Sequence, residues 1–161
     1  HGQVMMAPKV EGRLLQALAI EAQHSILEIG TGRAYLTACL ATHGRHVTSM
    51  DIMPDFIETA EERLASQSIV NVRVRAGDAL QEAGNDRYDI IAVTGSLPVL
   101  RQQFHRNLEI GGRLFVITGE LPIMEASLIT RVDDSHWASE SLFETCIPPL
   151  INAEIPDTFN F

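Results

Sequence analysis

Three carboxylates stand where a short apolar run gives way to a turn. Glu28 lies in Leu27-Glu28-Ile29-Gly30-Thr31-Gly32-Arg33-Ala34-Tyr35, two positions before the first glycine. Asp51 closes the run from His46 to Met50, about 20 residues further on. Asp78 follows the run from Val72 to Ala76, inside Gly77-Asp78-Ala79. Gly30 and Gly32 permit a tight turn and let a ligand lie close on bare backbone. An acid in the position of Asp51 meets ribose hydroxyls in nucleoside-binding α/β folds. Asp78 can accept from an adenine amino group, and the next backbone N–H, that of Ala79, can donate to the ring. Singly, Glu28, Asp51 and Asp78 can each be read as a loop acid or a helix cap. Three at successive strand ends beside a glycine turn are better accounted for by a bound nucleoside.

The glycine turn also discriminates between cofactors. The dinucleotide-binding form needs a small residue at its sixth position, for close helix-to-strand packing. Here that position is Tyr35, and the third small residue is Ala34. The pattern E-x-G-x-G-x-A suits S-adenosylmethionine better than a nicotinamide dinucleotide. That cofactor has no pyrophosphate to cradle, and it carries an ammonium that an acid such as Glu28 can hold directly or through water. The expected cofactor-binding set is Glu28, Gly30, Thr31, Gly32, Asp51, Ile52, Gly77, Asp78, Ala79 and Thr94.

These residues need strands and helices to bring them together. Ser25 to Ile29, His46 to Met50, Val72 to Ala76, Tyr88 to Thr94 and Arg113 to Thr118 read as strands. Arg33 to Thr42, Pro54 to Ala65 and Val99 to Leu108 read as helices, the last closed by Gly111-Gly112. Pro54 suits a first helical position, and Asp55 and Glu58 sit where the helix dipole favours acids. Val10, Leu14, Ala17 and Leu18 recur at helical spacing before the first strand. Met124 to Val132 and Trp137 to Cys146 read as an antiparallel hairpin turning at Asp133-Asp134-Ser135 and closing one sheet edge. The fold class is therefore α/β, a doubly wound Rossmann-like sheet, mostly parallel, with an antiparallel C-terminal hairpin.

Composition sets the outer bounds. At 161 residues the chain has the size of one domain, and 45% hydrophobic residues supply a core. With no Met before His1-Gly2 and no signal-peptide pattern, residues 1–161 read as a single domain whose N-terminal segment is missing. A net charge of −9 repels phosphate backbones, which argues against nucleic acid as a partner. No apolar run reaches the roughly 20 residues that span a bilayer, so no membrane association is expected. Cys39 and Cys146 form no disulfide or metal pattern and suit a reducing, cytoplasmic compartment. His24, His43, His46, His105 and His136 are scattered, with no triad or metal spacing.

Taken together, these motifs resemble the class I S-adenosylmethionine-dependent methyltransferases, and more closely the protein-L-isoaspartate (D-aspartate) O-methyltransferases. The general likeness rests on Leu27 to Tyr35, Asp51, Gly77-Asp78-Ala79 and Gly111-Gly112-Arg113. The closer one rests on Glu28 to Gly32, Tyr88 to Thr94, Pro98, Gly2-Gln3 with Pro8, and the closing Ile147-Pro148-Pro149-Leu150-Ile151. It implies methyl transfer to the carboxylate of isoaspartyl residues in damaged proteins or peptides. Such a carboxylate is ionised at neutral pH, with a pKa of roughly 4, and needs no general base. The family's opening G-Q-T-I-S-x-P holds the substrate carboxylate through hydroxyls, whereas here Val4 and Met6 replace the Thr and Ser. An Arg that the family often has near Cys146 is also missing. Substrate-side candidates are Val4, Met5, Met6, Thr94 and Ser96, through backbone N–H groups in the first three and hydroxyls in the last two. The runner-up is a relative that keeps the cofactor but methylates another substrate or is catalytically weak. A nicotinamide-dependent oxidoreductase is opposed by Tyr35, and a purely structural interaction domain has no need of acids at three strand ends.

Overall fold

The computed structural model describes residues 4–82 and 84–154. The elements run α1 (Pro8–Leu18), β1 (Ser25–Ile29), α2 (Tyr35–His43), β2 (His46–Asp51), α3 (Pro54–Ser66), β3 (Val72–Ala76), α4 (Ala79–Glu82), β4 (Tyr88–Leu97), α5 (Gln102–Arg106), β5 (Leu108–Glu120), β6 (Ile123–Arg131) and β7 (Trp137–Thr145). They form one seven-stranded sheet in the order β3-β2-β1-β4-β5-β6-β7. The pairs β3–β2, β2–β1, β1–β4 and β4–β5 are parallel, and β6 runs antiparallel to both its neighbours. The mostly parallel α/β sheet with a C-terminal hairpin is thus the observed architecture.

The apolar runs of β1 and β4 have no polar alternation because both sheet faces are covered. Ile26, Val47, Ile90 and Ala92 face one side, packed with Leu14 and Leu18 of α1 and Leu36 and Leu40 of α2. Their strand neighbours Leu27, Ile91 and Val93 face the other, packed with Leu80 of α4 and Phe104 of α5. Pro54 occupies the first turn of α3, whose Ala60 and Leu64 close on Ala34.

Two expectations fail around β5. The helix expected over Val99 to Leu108 is only α5, and Gly111-Gly112 do not close it but lie inside β5. The β4–β5 register jumps from Tyr88↔Leu108 to Ile90↔Arg113, so extra residues of β5 loop out there. Gly111 takes φ +82 in that detour, and a Cβ on Gly112 would stand 2.8 Å from the Glu109 carbonyl and 3.0 Å from that of Asp89. The glycines serve a strand irregularity, not a helix end. The short helix α4 has no counterpart in the sequence reading. The hairpin turn is as expected: the Asp133 carboxylate accepts from the N–H groups of Ser135 (2.8 Å) and His136 (3.0 Å), and the Ser135 N–H, followed by the His136 ring beside it, pulls its pKa down to about 2.

Candidate functional site

A cavity of about 660 Å³ opens at the carboxyl ends of β1, β2 and β4, where ligands of open parallel sheets bind. All ten residues of the expected cofactor set line it: Glu28, Gly30, Thr31, Gly32, Asp51, Ile52, Gly77, Asp78, Ala79 and Thr94. Strand geometry brings them together. Parallel strands in register end side by side, so the residues that follow each strand share one rim.

Glu28 is fully buried at 0% exposure. Its Oε2 accepts from Thr37 Oγ1 (2.5 Å) and Ser49 Oγ (2.6 Å). Since the Ser49 hydroxyl is donating to Glu28, Thr31 Oγ1 donates to Ser49 in turn, at 2.6 Å. The other oxygen, Oε1, is buried with no hydrogen-bond partner among the described residues. Burial raises the Glu28 pKa to about 7; the two hydroxyl bonds oppose that rise, and the nearby charges of Asp51 and Glu11 add to it. An unpartnered oxygen on a buried acid is costly unless a ligand donor or cation completes it.

The glycine turn is fixed as tightly. Gly30 has φ +98, and a Cβ there would lie 2.0 Å from Thr94 Oγ1. That hydroxyl instead donates to the carbonyls of Ile29 (2.8 Å) and Gly30 (3.0 Å), clamping the turn against β4. At Gly32, φ is +50 and a Cβ would meet nothing within 4 Å, so the backbone there faces open space. Asp51 accepts from the N–H of Gly32 (2.9 Å) through Oδ2 and from that of Met53 (3.0 Å) through Oδ1. Asp78 Oδ1 accepts from Leu80 N–H (2.9 Å), and Oδ2 from Asn152 Nδ2 (3.0 Å). Both acids therefore brace local backbone, and each oxygen keeps a lone pair for a ligand donor.

The substrate-side candidates divide. Val4, Met5 and Met6 line the cavity; Val4 is 67% exposed, whereas Met6 is buried in the core beside Leu14 and Leu18. Ser96 is not brought into the cavity. It is wholly buried, its hydroxyl donates to the Ile147 carbonyl (3.1 Å), and its backbone pairs with Pro148 and Leu150. The Thr94 hydroxyl lines the cavity but its proton is engaged by the turn. Gly2 and Gln3 lie outside the described residues.

Sequence reasoning missed Glu11, which also lines the cavity. One signal was available: Glu11, Leu14 and Leu18 are spaced three and four apart, so an acid shares the apolar face of α1. For Phe56, which lines the cavity from the first turn of α3, the sequence carries no signal. The segment Ile147 to Ile151 completes one wall, laid along the end of β4 by the Ser96 bonds.

Known proteins resemble this chain over nearly its whole length. The family model for protein-L-isoaspartate(D-aspartate) O-methyltransferase matches residues 1–154. A protein-L-isoaspartate O-methyltransferase of Magnetococcus marinus is 33% identical over 155 residues, covering 96% of this chain and 68% of that protein. One of Protochlamydia amoebophila is 33% identical over 158 residues, covering 96% and 74%. Among solved structures, a Plasmodium falciparum protein described as a beta-aspartate methyltransferase, in complex with S-adenosyl-L-homocysteine, superposes with a TM-score of 0.76 at 20% identity. That match covers 93% of this chain and 77% of that one and speaks for the fold. With a family model spanning nearly its whole length and relatives a third identical over almost all of it, the chain belongs to the protein-L-isoaspartate(D-aspartate) O-methyltransferase family.

Proposed function

We propose that this protein transfers a methyl group from S-adenosylmethionine to the carboxylate of isoaspartyl residues in damaged proteins. The observation that carries this reading is Glu28, buried beside the glycine turn with one oxygen left for a ligand. The residues present fit the cofactor. Glu28 suits its ammonium, Asp51 its ribose hydroxyls, and Asp78 with the Ala79 N–H its adenine, while the bare backbone at Gly30 and Gly32 leaves room for close approach. When bound, the cofactor supplies an electrophilic methyl group on a sulfonium.

The chain's own task is then to position and to dry. An ionised carboxylate needs alignment, not deprotonation, and alignment is worth roughly 7–11 kcal/mol of barrier. Met5, Met6, Ile147, Pro148 and Leu150 form an apolar wall that strips water from the entering carboxylate. The backbone N–H groups of Met5 and Met6 make no hydrogen bond with another described residue. They are the donors we assign to the substrate carboxylate in place of the missing hydroxyls. The free thiols Cys39 and Cys146 support a reducing, cytoplasmic setting. None of the helices among the described residues is long and apolar enough to cross a membrane.

Calorimetry tests the cofactor half of this reading. Binding of S-adenosylmethionine and S-adenosylhomocysteine, with no binding of NAD, is expected; tight NAD binding would overturn it. Methyl transfer to an isoaspartyl peptide tests the substrate half.

A further inference from the structure

Glu11 is a buried acid whose local support among the described residues is the dipole of α1. It projects from the first turn of α1, is 6% exposed, and lines the same cavity as Glu28. Its carboxylate makes no hydrogen bond or ion pair with another described residue, and burial raises its pKa above the usual carboxylate range. Its oxygens are not sealed as Glu28 Oε1 is, so the carboxylate looks into the cavity from an apolar helix face, placed to meet a cationic ligand. The charge of Glu11 reaches Glu28, whose Oε1 is itself buried and unpartnered. Among the described residues lining the cavity the sole cation is Arg33, which is exposed. The cavity thus presents two acids from two different elements, α1 and β1, and no buried base among the described residues to neutralise them.

We propose that Glu11 is a second anionic ligand for the ammonium of the cofactor's amino-acid part, reaching it from α1 as Glu28 does from β1. This rests on the reading that the cavity binds S-adenosylmethionine. The ammonium is the group chosen because it offers three N–H donors, enough for two carboxylates. The sulfonium has no N–H to give, and the ribose and adenine are assigned to Asp51 and Asp78.

The test pairs a change in the protein with a change in the ligand. S-adenosylhomocysteine retains the ammonium and lacks the sulfonium charge. It is compared by calorimetry with its deaminated analogue, in which hydrogen replaces the amine, on the wild-type chain and on Glu11→Gln. The wild type is expected to favour the amine-bearing ligand by at least about tenfold, as for hydrogen bonds between charged groups. Glu11→Gln is expected to weaken that ligand by about tenfold while changing the analogue less than about twofold. Equal weakening of both ligands, or weakening of neither, would overturn the proposal. Because the substitution removes a charge that no described residue pairs and that burial disfavours, Glu11→Gln and Glu11→Met are expected to melt at or above the wild-type temperature. Melting well below it, with both ligands lost, would mark Glu11 as a packing residue and also overturn the proposal. A wild type that binds neither ligand would sink the cofactor reading itself, a result distinct from any of these.

Discussion

At Glu28 one carboxyl group links stability to function. Its pKa is about 7 in the folded chain against 4.5 for an ordinary Glu, so between those values the folded state holds the proton more tightly than the unfolded one. Stability of the ligand-free protein should therefore fall as pH rises from about 5 to 7, by roughly 3 kcal/mol, and level off above. Glu28→Gln keeps an acceptor for Thr37 and Ser49 and should remove most of that slope. Urea titrations of both proteins across this range check it; parallel profiles would contradict the assignment. At the acceptor side, Val4 is exposed, and Val4→Thr should leave stability within about 0.5 kcal/mol while raising kcat/KM on an isoaspartyl peptide about tenfold. Met6→Ser is another matter, because Met6 packs against the core, and its loss should cost about 2–5 kcal/mol in urea unfolding. The acids at strand ends were legible in the sequence because a strand end fixes where the next residue must lie. Glu11 was marked only by its place on the apolar face of α1; that this face brings it to the cavity depends on how α1 docks.

Among the elements, the glycine turn and the end of β4 act as one unit. Gly30→Ala would drive a Cβ into Thr94 Oγ1 and strain a φ of +98, so it should destabilise by about 1–3 kcal/mol and weaken cofactor binding. At Gly32 a side chain meets open space but must take a φ of +50, so Gly32→Val should cost about 1–3 kcal/mol, stay folded by circular dichroism and lose cofactor affinity in calorimetry. Ser96→Ala removes the bond to the Ile147 carbonyl and should cost about 1 kcal/mol. It should also speed amide hydrogen exchange at Leu150, whose N–H donates to the Ser96 carbonyl; unchanged exchange would show that the backbone pairing suffices. Sequence pattern gave β1 and β3 their full bounds, Asn71 and Gly77 punctuating β3 and Gly30 ending β1. It failed between Val99 and Gly112, where two glycines imitate a helix stop but serve a detour in β5, set by pairing with β4. The inward turn of Ser96 has the same kind of origin. A register shift between Ala92 and Ser96 and the returning C-terminal segment decide it, and neither is written in the local residues.

For the molecule as a whole, the sheet builds one large cavity at the strand ends, and binding there should stabilise everything around it. At a cofactor concentration 100-fold above Kd the gain is about 2.7 kcal/mol, which for a chain of this size raises Tm by about 5–10 °C. The net charge of −9 should slow the approach of acidic peptides, and added salt should relieve that repulsion. The mostly parallel sheet and the place of the cavity at its strand ends followed from the α/β alternation, whereas the order of strands was not read from it. The acceptor was less legible, because backbone donors leave no mark in residue identity. The most direct measurement is initial-rate methyl transfer from S-adenosylmethionine to an isoaspartyl peptide and to its aspartyl twin, with cofactor binding confirmed in the same preparation. The expected result is transfer to the isoaspartyl peptide alone. Equal transfer to both, or none to either while the cofactor is bound, would contradict it.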